Sequence, residues 1–307
     1  MSGRRALPLP TRNGIGPSCV ALPEGPWKTV TDFLVQRFPA IDAAVWAQRI
    51  QAREVVDEHG VPVTPTRAHQ PHLRVYYYRS LADEPRLPFD EVVLFRDAHI
   101  VVADKPHFLP VTPSGNHLTE TLLVRLKRRL GIDMLAPVHR IDRETAGLVL
   151  FSIDPRTRGQ YQRLFAEQRV QKAYECTAVR PVHLDFPLTH RSRLVDDPAH
   201  FMRVCEVAGE PNAQTRVELV ESVGAVAQFR LVPLTGRRHQ LRAHCTALGM
   251  PILGDRIYPT LLPHGTDDHA RPLQLLAHTL AFVDPITGEA RRFTTRFRLR
   301  PLATAHQ

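Results

Sequence analysis

Lysine is scarce in this chain. Of 40 Lys+Arg residues only four are Lys (Lys28, Lys105, Lys127 and Lys172), and the other 36 are arginines. Cysteine is equally sparse. Cys19, Cys176, Cys205 and Cys245 stand far apart with no CxxC pair, so neither a zinc-finger spacing nor a disulfide framework is indicated, and all four read as small core residues. No stretch approaches the ~18 apolar residues of a membrane span. The opening MSGRRALPLPTRNG also lacks the apolar run of a signal peptide, so the expected compartment is the cytoplasm. No Gly-rich phosphate loop and no internal repeat is visible.

What remains is basic and globular. The 307 residues carry 40 basic against 31 acidic groups, a formal charge of +9, and 43% of them are hydrophobic. That composition excludes disorder as the main state and suits one large domain or two unequal ones. The excess positive charge favours a polyanion, nucleic acid above all. Arginine strengthens this reading, since its guanidinium stacks on bases and grips phosphate in two-pronged fashion.

Organisation follows from punctuation. Residues 1–26 hold five prolines and read as a loosely ordered extension. Residues 27–84 form a small module. Phe33, Leu34 and Phe38, then Val45, Ile50, Val55 and Val56, predict two short helices before a turn at His59-Gly60 and two strands. A Pro-rich linker at 85–89 leads into a larger unit over 90–300. There β-runs surround Asp97, a basic helix covers 119–130 and a strand covers GLVLFSID. Further strands fall near 172–179, 215–221 and 226–233, and a helix runs from about Arg237 to Leu248. Strands and helices do not alternate as βαβ units. The expected class is therefore α+β, with a mixed, mainly antiparallel sheet.

Two strings carry chemistry. In His139-Arg140-Ile141-Asp142-Arg143-Glu144-Thr145-Ala146-Gly147 a carboxylate sits between two arginines just before a buried strand. A nearby cation favours the charged form of an aspartate, and such a group serves as nucleophile, general base or ligand; a salt-bridged loop aspartate is the plain alternative. A kinase catalytic loop is excluded by the spacing and by the missing Asp-Phe-Gly. In the second string, LTGRRHQLRAHCTALGMPILGDRIY, Arg237 and Arg238 fall in the expected first helical turn, where exposed amides favour an anion. Arg242 lies at the edge of the buried stripe formed by Leu241, His244, Cys245 and Leu248, so it should meet a carboxylate. His239 and His244 lack the i, i+4 spacing of a helical zinc site.

Together, and about 95 residues apart, these strings resemble the RluA family of RNA pseudouridine synthases. Supporting likenesses are VLFRDAHIVVADKP with Lys105-Pro106, the strand start Lys172-Ala173-Tyr174, the Gly-Asp-x-x-Tyr close, and LQLLAHTLAFVDPITGE. Residues 27–84 look like a degenerate S4 RNA-binding module. The resemblance implies an isomerase that converts uridine to pseudouridine. Asp142 would be its nucleophile or base, Arg242 would pair with Asp142, and Tyr174 would stack on uracil. Leu241 would pack the base pocket, with Arg140, Arg143, Thr145, Arg237, Arg238, His239, Lys105 and Lys172 around the RNA. It implies RNA as partner, ribosomal RNA favoured over transfer RNA, a monomer by default, and no cofactor or metal.

The other class kept open is a non-catalytic RNA-binding ribosome-assembly factor on the same fold. A glycosidic hydrolase would need a second carboxylate, which the sequence does not point to. His107-Phe108 stand where the family has Ala-Gly, placing bulk in a loop expected to face RNA. His264, Asp267, Asp268 and His269 read as a solvated loop rather than a metal cluster. Tyr76, Tyr77 and Tyr78 read either as a stacking platform or as buried strand residues.

Overall fold

The computed structural model describes residues 9–79, 84–262 and 267–302. Contacts divide the chain into two units, Met1–Glu84 with Ser114–Thr119 and Lys127–Asp133, and Pro85–Pro113 with Glu120–Leu126 and Met134–Gln307. Among the described residues no helix is long and apolar enough to cross a membrane.

The first unit contains β1 (Ser18–Ala21), α1 (Val30–Arg37), α2 (Ala43–Gln51), β2 (Val55–Asp57) and β3 (Arg74–Tyr77), with an antiparallel sheet in the order β1-β3-β2. α1 starts where Thr29 and Asp32 cap each other's backbone amides, and α2 where Asp42 accepts from Ala44. Both helices bury their apolar stripes, Phe33 and Leu34 from α1, Trp46 and Ile50 from α2, against Val75 and Tyr77. Two expectations change here. Ser18–Ala21, within the stretch read as an extension, is a strand, and Val55-Val56 form a strand rather than a helix end. β-branched valines favour the extended form once Arg53, at φ 56°, has turned the chain out of α2. Only one strand forms beyond the turn, because Pro62 and Pro65 cannot donate to a ladder. Tyr77 and Tyr78 are buried, so this run is not an open stacking platform.

The second unit is built on β4 (Val92–Arg96), β5 (Ile100–Lys105), β6 (Ala136–Pro137), β7 (Ala146–Ser152), β8 (Gln171–Val179), β9 (Leu188–Asp196), β10 (Val204–Val207), β11 (Ala213–Val223), β12 (Val226–Pro233), β13 (Leu275–Val283) and β14 (Ala290–Thr294). The strand order is β10-β9-β11-β12-β8-β13-β7-β5-β4. Every pairing is antiparallel except β7 with β13. The class is the expected α+β, mixed and mainly antiparallel. Its helices are α4 (Arg158–Ala166) and α5 (Gln240–Ala247), while α3 (Leu122–Leu130) spans both residue sets.

α5 lays Leu241 and Cys245 onto Cys176, Phe229 and Leu231 of the sheet, with Tyr174 packed alongside. Cys176 and Cys245 are buried as expected, but Cys19 is exposed and Cys205 only half-buried. The basic face of α3 also departs from expectation. Arg125 is largely buried, ion-paired to Glu120 and Glu91 and bonded to the carbonyls of Leu87 and Phe89. Arg291 is likewise tied to Asp97, Glu289 and Asp284. Part of the positive charge therefore serves the fold.

Candidate active site

Asp142 lies in the loop that carries the chain from β6 into β7, and that loop faces α5. The helix begins later than its sequence suggests. Arg237 and Arg238 precede the N-cap rather than forming the first turn. The side chain of Gln240 accepts from the Arg237 amide (3.1 Å) and from the Thr235 hydroxyl (2.7 Å), fixing the bend before the helix. His239 is the N-cap, in the left-handed region at φ 50°, a conformation that histidine tolerates better than most residues. It aims its Nε2 at Asp142 Oδ1, 3.9 Å away, while Nδ1 lies 3.3 Å from the Tyr258 hydroxyl. Burial holds the imidazole below its ordinary pKa, although the Asp142 charge opposes this.

Arg242, one turn into α5, is the centre of the cluster. Its guanidinium is fully buried and donates from Nη2 and Nε to Asp255, at 2.6 and 2.8 Å. Nη1 is left for Asp142 Oδ2 at 3.4 Å and Glu144 Oε2 at 3.6 Å. Burial works against the charge, but the Asp255 bonds and the Asp142 and Glu144 charges outweigh it and raise the pKa. The expected pair is thus a cluster of one arginine and three carboxylates, in which Asp255 is the closest partner and Asp142 remains partly open, its side chain 25% exposed. Asp255 also accepts from the amides of Ile257 and Tyr258. Asp255 and Tyr258 belong to the Gly-Asp-x-x-Tyr string, which carried the signal without a role attached.

The other expected residues are placed as follows. Tyr174 is half-buried on β8 beside Leu241, and burial together with the Asp142 charge raises its phenol, keeping it protonated. Lys105 is fully buried at the end of β5, its Nζ donating to the carbonyls of Pro106 and Arg143 at 3.0 Å each; burial pushes its pKa down to about 7 against the pull of Glu144 and Asp142. Thr145 is buried next to β7, and Lys172 is half-buried, with its pKa lowered by desolvation. Arg140 and Arg237 are exposed, the latter reaching the Asn212 carbonyl.

Arg143 and Arg238 have protein partners. Arg143 grips Asp267 with two bonds of 2.8 and 2.6 Å. Arg238 bonds to Asp196 and to the carbonyls of Phe201 and Arg203, holding the β9–β10 turn. His107 and Phe108 do not crowd an open RNA-facing loop. Phe108 is buried against Phe89 and His269, and His107 Nδ1 bonds to the Glu144 carbonyl. Of the loop read as solvated, Asp268 pairs with Arg271, and His264 lies outside the described residues.

A carboxylate partly open to solvent, faced by a buried guanidinium and flanked by a protonated phenol and a packed apolar side chain, suits attack on a flipped nucleotide. The family pattern described as RNA pseudouridylate synthase matches residues 99–247, which include Asp142, Tyr174 and Arg242. An RNA pseudouridine synthase of Synechocystis is 31% identical over 74% of this chain and 78% of its own length. The dual-specificity RNA pseudouridine synthase RluA of Escherichia coli is 32% identical over 66% of this chain and 91% of its own.

The chain belongs to the RluA family of RNA pseudouridine synthases.

Its architecture is also that of solved family members. The human RNA pseudouridylate synthase domain containing 4 protein superposes with a TM-score of 0.53 at 25% identity, over 69% of this chain and 90% of that one. The human domain containing 1 protein gives 0.57 at 24% identity, over 70% and 86%. As a member of the family the chain is an isomerase acting on uridines in RNA.

Proposed function

We propose that Asp142 is the catalytic group and that structured RNA, ribosomal RNA in preference to transfer RNA, is the substrate. The observation that carries the reading is the Arg242 Nη1 contact to Asp142 Oδ2 at 3.4 Å, made by a guanidinium whose other nitrogens are fixed on Asp255. A carboxylate so faced stands against a fixed positive charge, an arrangement suited to a reaction that develops charge in a dry pocket.

On one route an Asp142 oxygen attacks C1′ of the flipped uridine, and the C1′–N1 bond breaks to release a uracil anion. The base turns, C5 forms the new bond to C1′, and the Asp142–C1′ bond breaks; the C5 proton then leaves and N1 is protonated. On the other route Asp142 removes the C2′ proton as the C1′–N1 bond breaks, giving a glycal and a uracil anion; C5 then adds to C1′ while Asp142 returns the proton to C2′, and the C5 proton leaves as N1 is protonated. Both routes balance without an external reagent. Tyr174, protonated and beside Leu241, is the stacking face for uracil; Arg140, Arg237, His239 and Lys172 face the RNA, whereas Lys105 and Thr145 are buried and brace the site from within, and Arg143 is held on Asp267. The 27–84 module is the second RNA contact, and it is what tilts the preference to ribosomal RNA.

Glu144 supplies the second carboxylate that a hydrolase would need. Its two oxygens face Arg143 Nε at 3.2 Å and Arg242 Nη1 at 3.6 Å, so it is arranged as an ion-pair partner rather than a proton donor. The test is to incubate the protein with total RNA from a strain lacking the gene and to map pseudouridines. New pseudouridines with wild type and none with Asp142→Asn support the proposal. Equal modification by the variant overturns the assignment of Asp142, and binding without modification favours the assembly-factor alternative.

A further inference from the structure

Away from Asp142, two histidines and a glutamate converge beneath α5. His190 on β9 and Glu206 on β10 bring Nε2 and Oε1 to 2.8 Å, and His244 on α5 closes over them with its Nε2 3.9 Å from the same oxygen. The donor atoms of all three lie within 4.8 Å of one another. The two imidazoles stand edge to face at 81°, so their ring planes approach the shared space from different directions. His244 is already oriented. Its Nδ1 contacts the Thr215 hydroxyl at 2.9 Å, and Gln240 Nε2 holds the same hydroxyl at 2.9 Å. These contacts fix the ring orientation, as outer partners of ligating histidines do; Nε2 faces Glu206 and also lies 3.1 Å from the Ser192 hydroxyl, a contact that an ion at this site would displace. Burial keeps this imidazole neutral at neutral pH.

We propose that His190, Glu206 and His244 form a binding site for a divalent transition metal ion of the zinc class. Two imidazoles and one carboxylate are donors suited to zinc. Tetrahedral ligands at roughly 2.0–2.2 Å from zinc stand about 3.3 Å apart, so a small adjustment that opens the 2.8 Å His190–Glu206 pair and draws in His244 makes room for the ion, with water as a fourth ligand. The ion ties β9 and β10 to α5, the helix that positions His239 and Arg242. Its part is structural, and it takes no part in the uridine chemistry.

The full-length protein, stripped by dialysis against a chelator, is titrated with Zn²⁺; bound metal is measured by elemental analysis and stability by thermal unfolding. One equivalent is expected to be retained, with a rise in Tm on the order of 5 °C at a hundredfold excess over Kd. His190→Gln and Glu206→Gln should each weaken retention by about tenfold or more; both residues are partly exposed, so the fold survives. His278→Gln is the control, because His278 pairs with Glu175 at 3.5 Å but, among the described residues, no third donor joins them. The visible absorption of Co²⁺-loaded wild type gives a second reading of nitrogen coordination. Substoichiometric metal in the wild type, or equal retention in the His190 and Glu206 variants, overturns the proposal.

Discussion

Arg242 gives Asp255 its two short hydrogen bonds, at 2.6 and 2.8 Å, and offers Asp142 only a 3.4 Å contact. Asp255 therefore sets the plane of the guanidinium, and Asp142 reads the charge that the plane presents. Asp255→Asn keeps an acceptor for the Ile257 and Tyr258 amides but loses the charged two-pronged clamp. The expected outcome is a fall in kcat of about 10²-fold with KM little changed, because a displacement of about 1 Å at a reacting group costs that much. Single-turnover kinetics on a defined RNA checks this. A change in KM alone would show that Asp255 serves binding instead. Arg242→Lys should fail similarly, since an ammonium cannot span Asp255 and Asp142 as a planar fork does.

Lys105 predicts a pH dependence of stability. Its pKa is pushed down to about 7 in the fold, against roughly 10.4 in an unfolded chain. Between those values the unfolded state holds a proton that the folded state has lost, so stability rises as pH increases from 7 towards 10, by up to about 1.4 kcal/mol per pH unit for this group. Below pH 7 both states are protonated and the full burial penalty applies. Urea unfolding at pH 7 and pH 9 should show the rise in wild type and a shallower one in Lys105→Met. Parallel slopes would mean that the ammonium is not desolvated as its surroundings suggest.

The buried histidines act in the acid range. Burial pushes His139 down to about 3 and His107 to about 4. Unfolded histidine takes up a proton near pH 6.5, so stability is complete above that value and falls as pH drops from 6.5 towards 4. His139 stacks on Phe165 at 4.6 Å and accepts the Leu150 amide at Nε2. In His139→Gln an amide oxygen can take over that bond without titrating. The variant should lose up to about 1.4 kcal/mol per pH unit of the wild-type slope between pH 6 and 4.5, measured by denaturant unfolding.

The legible parts of this molecule were those where local pattern and tertiary need coincide. The all-buried run of β7, the Phe33, Leu34 and Phe38 spacing of the first helix and the buried stripe of α5 are written in residue order, and the class followed from the lack of βα alternation. Arg242 was legible too, because an arginine beside a buried stripe must find a carboxylate. Asp255 was not. It lies 13 residues on, and only a folded loop shows that it, rather than Asp142, takes the short bonds. β9 and β10 were missed because the alternation of Thr189, Arg191 and Arg193 with half-buried residues looks polar in sequence. Arg125 read as part of a basic helix, since Glu91 and the Leu87 and Phe89 carbonyls that help bury it come from a distant segment.

Arg238 illustrates the same point and is testable. Its guanidinium holds Asp196 at 2.9 Å and the Phe201 carbonyl at 3.1 Å, and it also bonds to the Arg203 carbonyl. It therefore orders the turn between β9 and β10, where Phe201 is 81% exposed. Arg238→Ala should speed amide hydrogen exchange across residues 197–203 while lowering the salt slope of RNA binding by much less than the ~0.7–0.9 expected for one lost phosphate contact. A slope change of that full size, with exchange unaltered, would make Arg238 a phosphate contact instead.

Gly147 closes the loop that carries Asp142, and its backbone admits no side chain. It sits at φ 111°, and a Cβ built there would lie 2.3 Å from the Ala277 carbonyl oxygen. That carbonyl belongs to β13, which runs parallel to β7 with Ala277 opposite Gly147. Neither strand can move aside, because β7 is also hydrogen-bonded to β5 and β13 to β8. Gly147→Ala therefore combines backbone strain of about 1–3 kcal/mol with a clash that forces β7 and β13 apart. The expected result is a loss of stability of roughly 3 kcal/mol or more and a displaced Asp142, so that even the folded fraction has reduced kcat. Ala146→Gly, one residue earlier at a site with no such approach, should cost roughly 1 kcal/mol. Denaturant unfolding of the two variants side by side separates the close approach from a general intolerance of substitution in this loop.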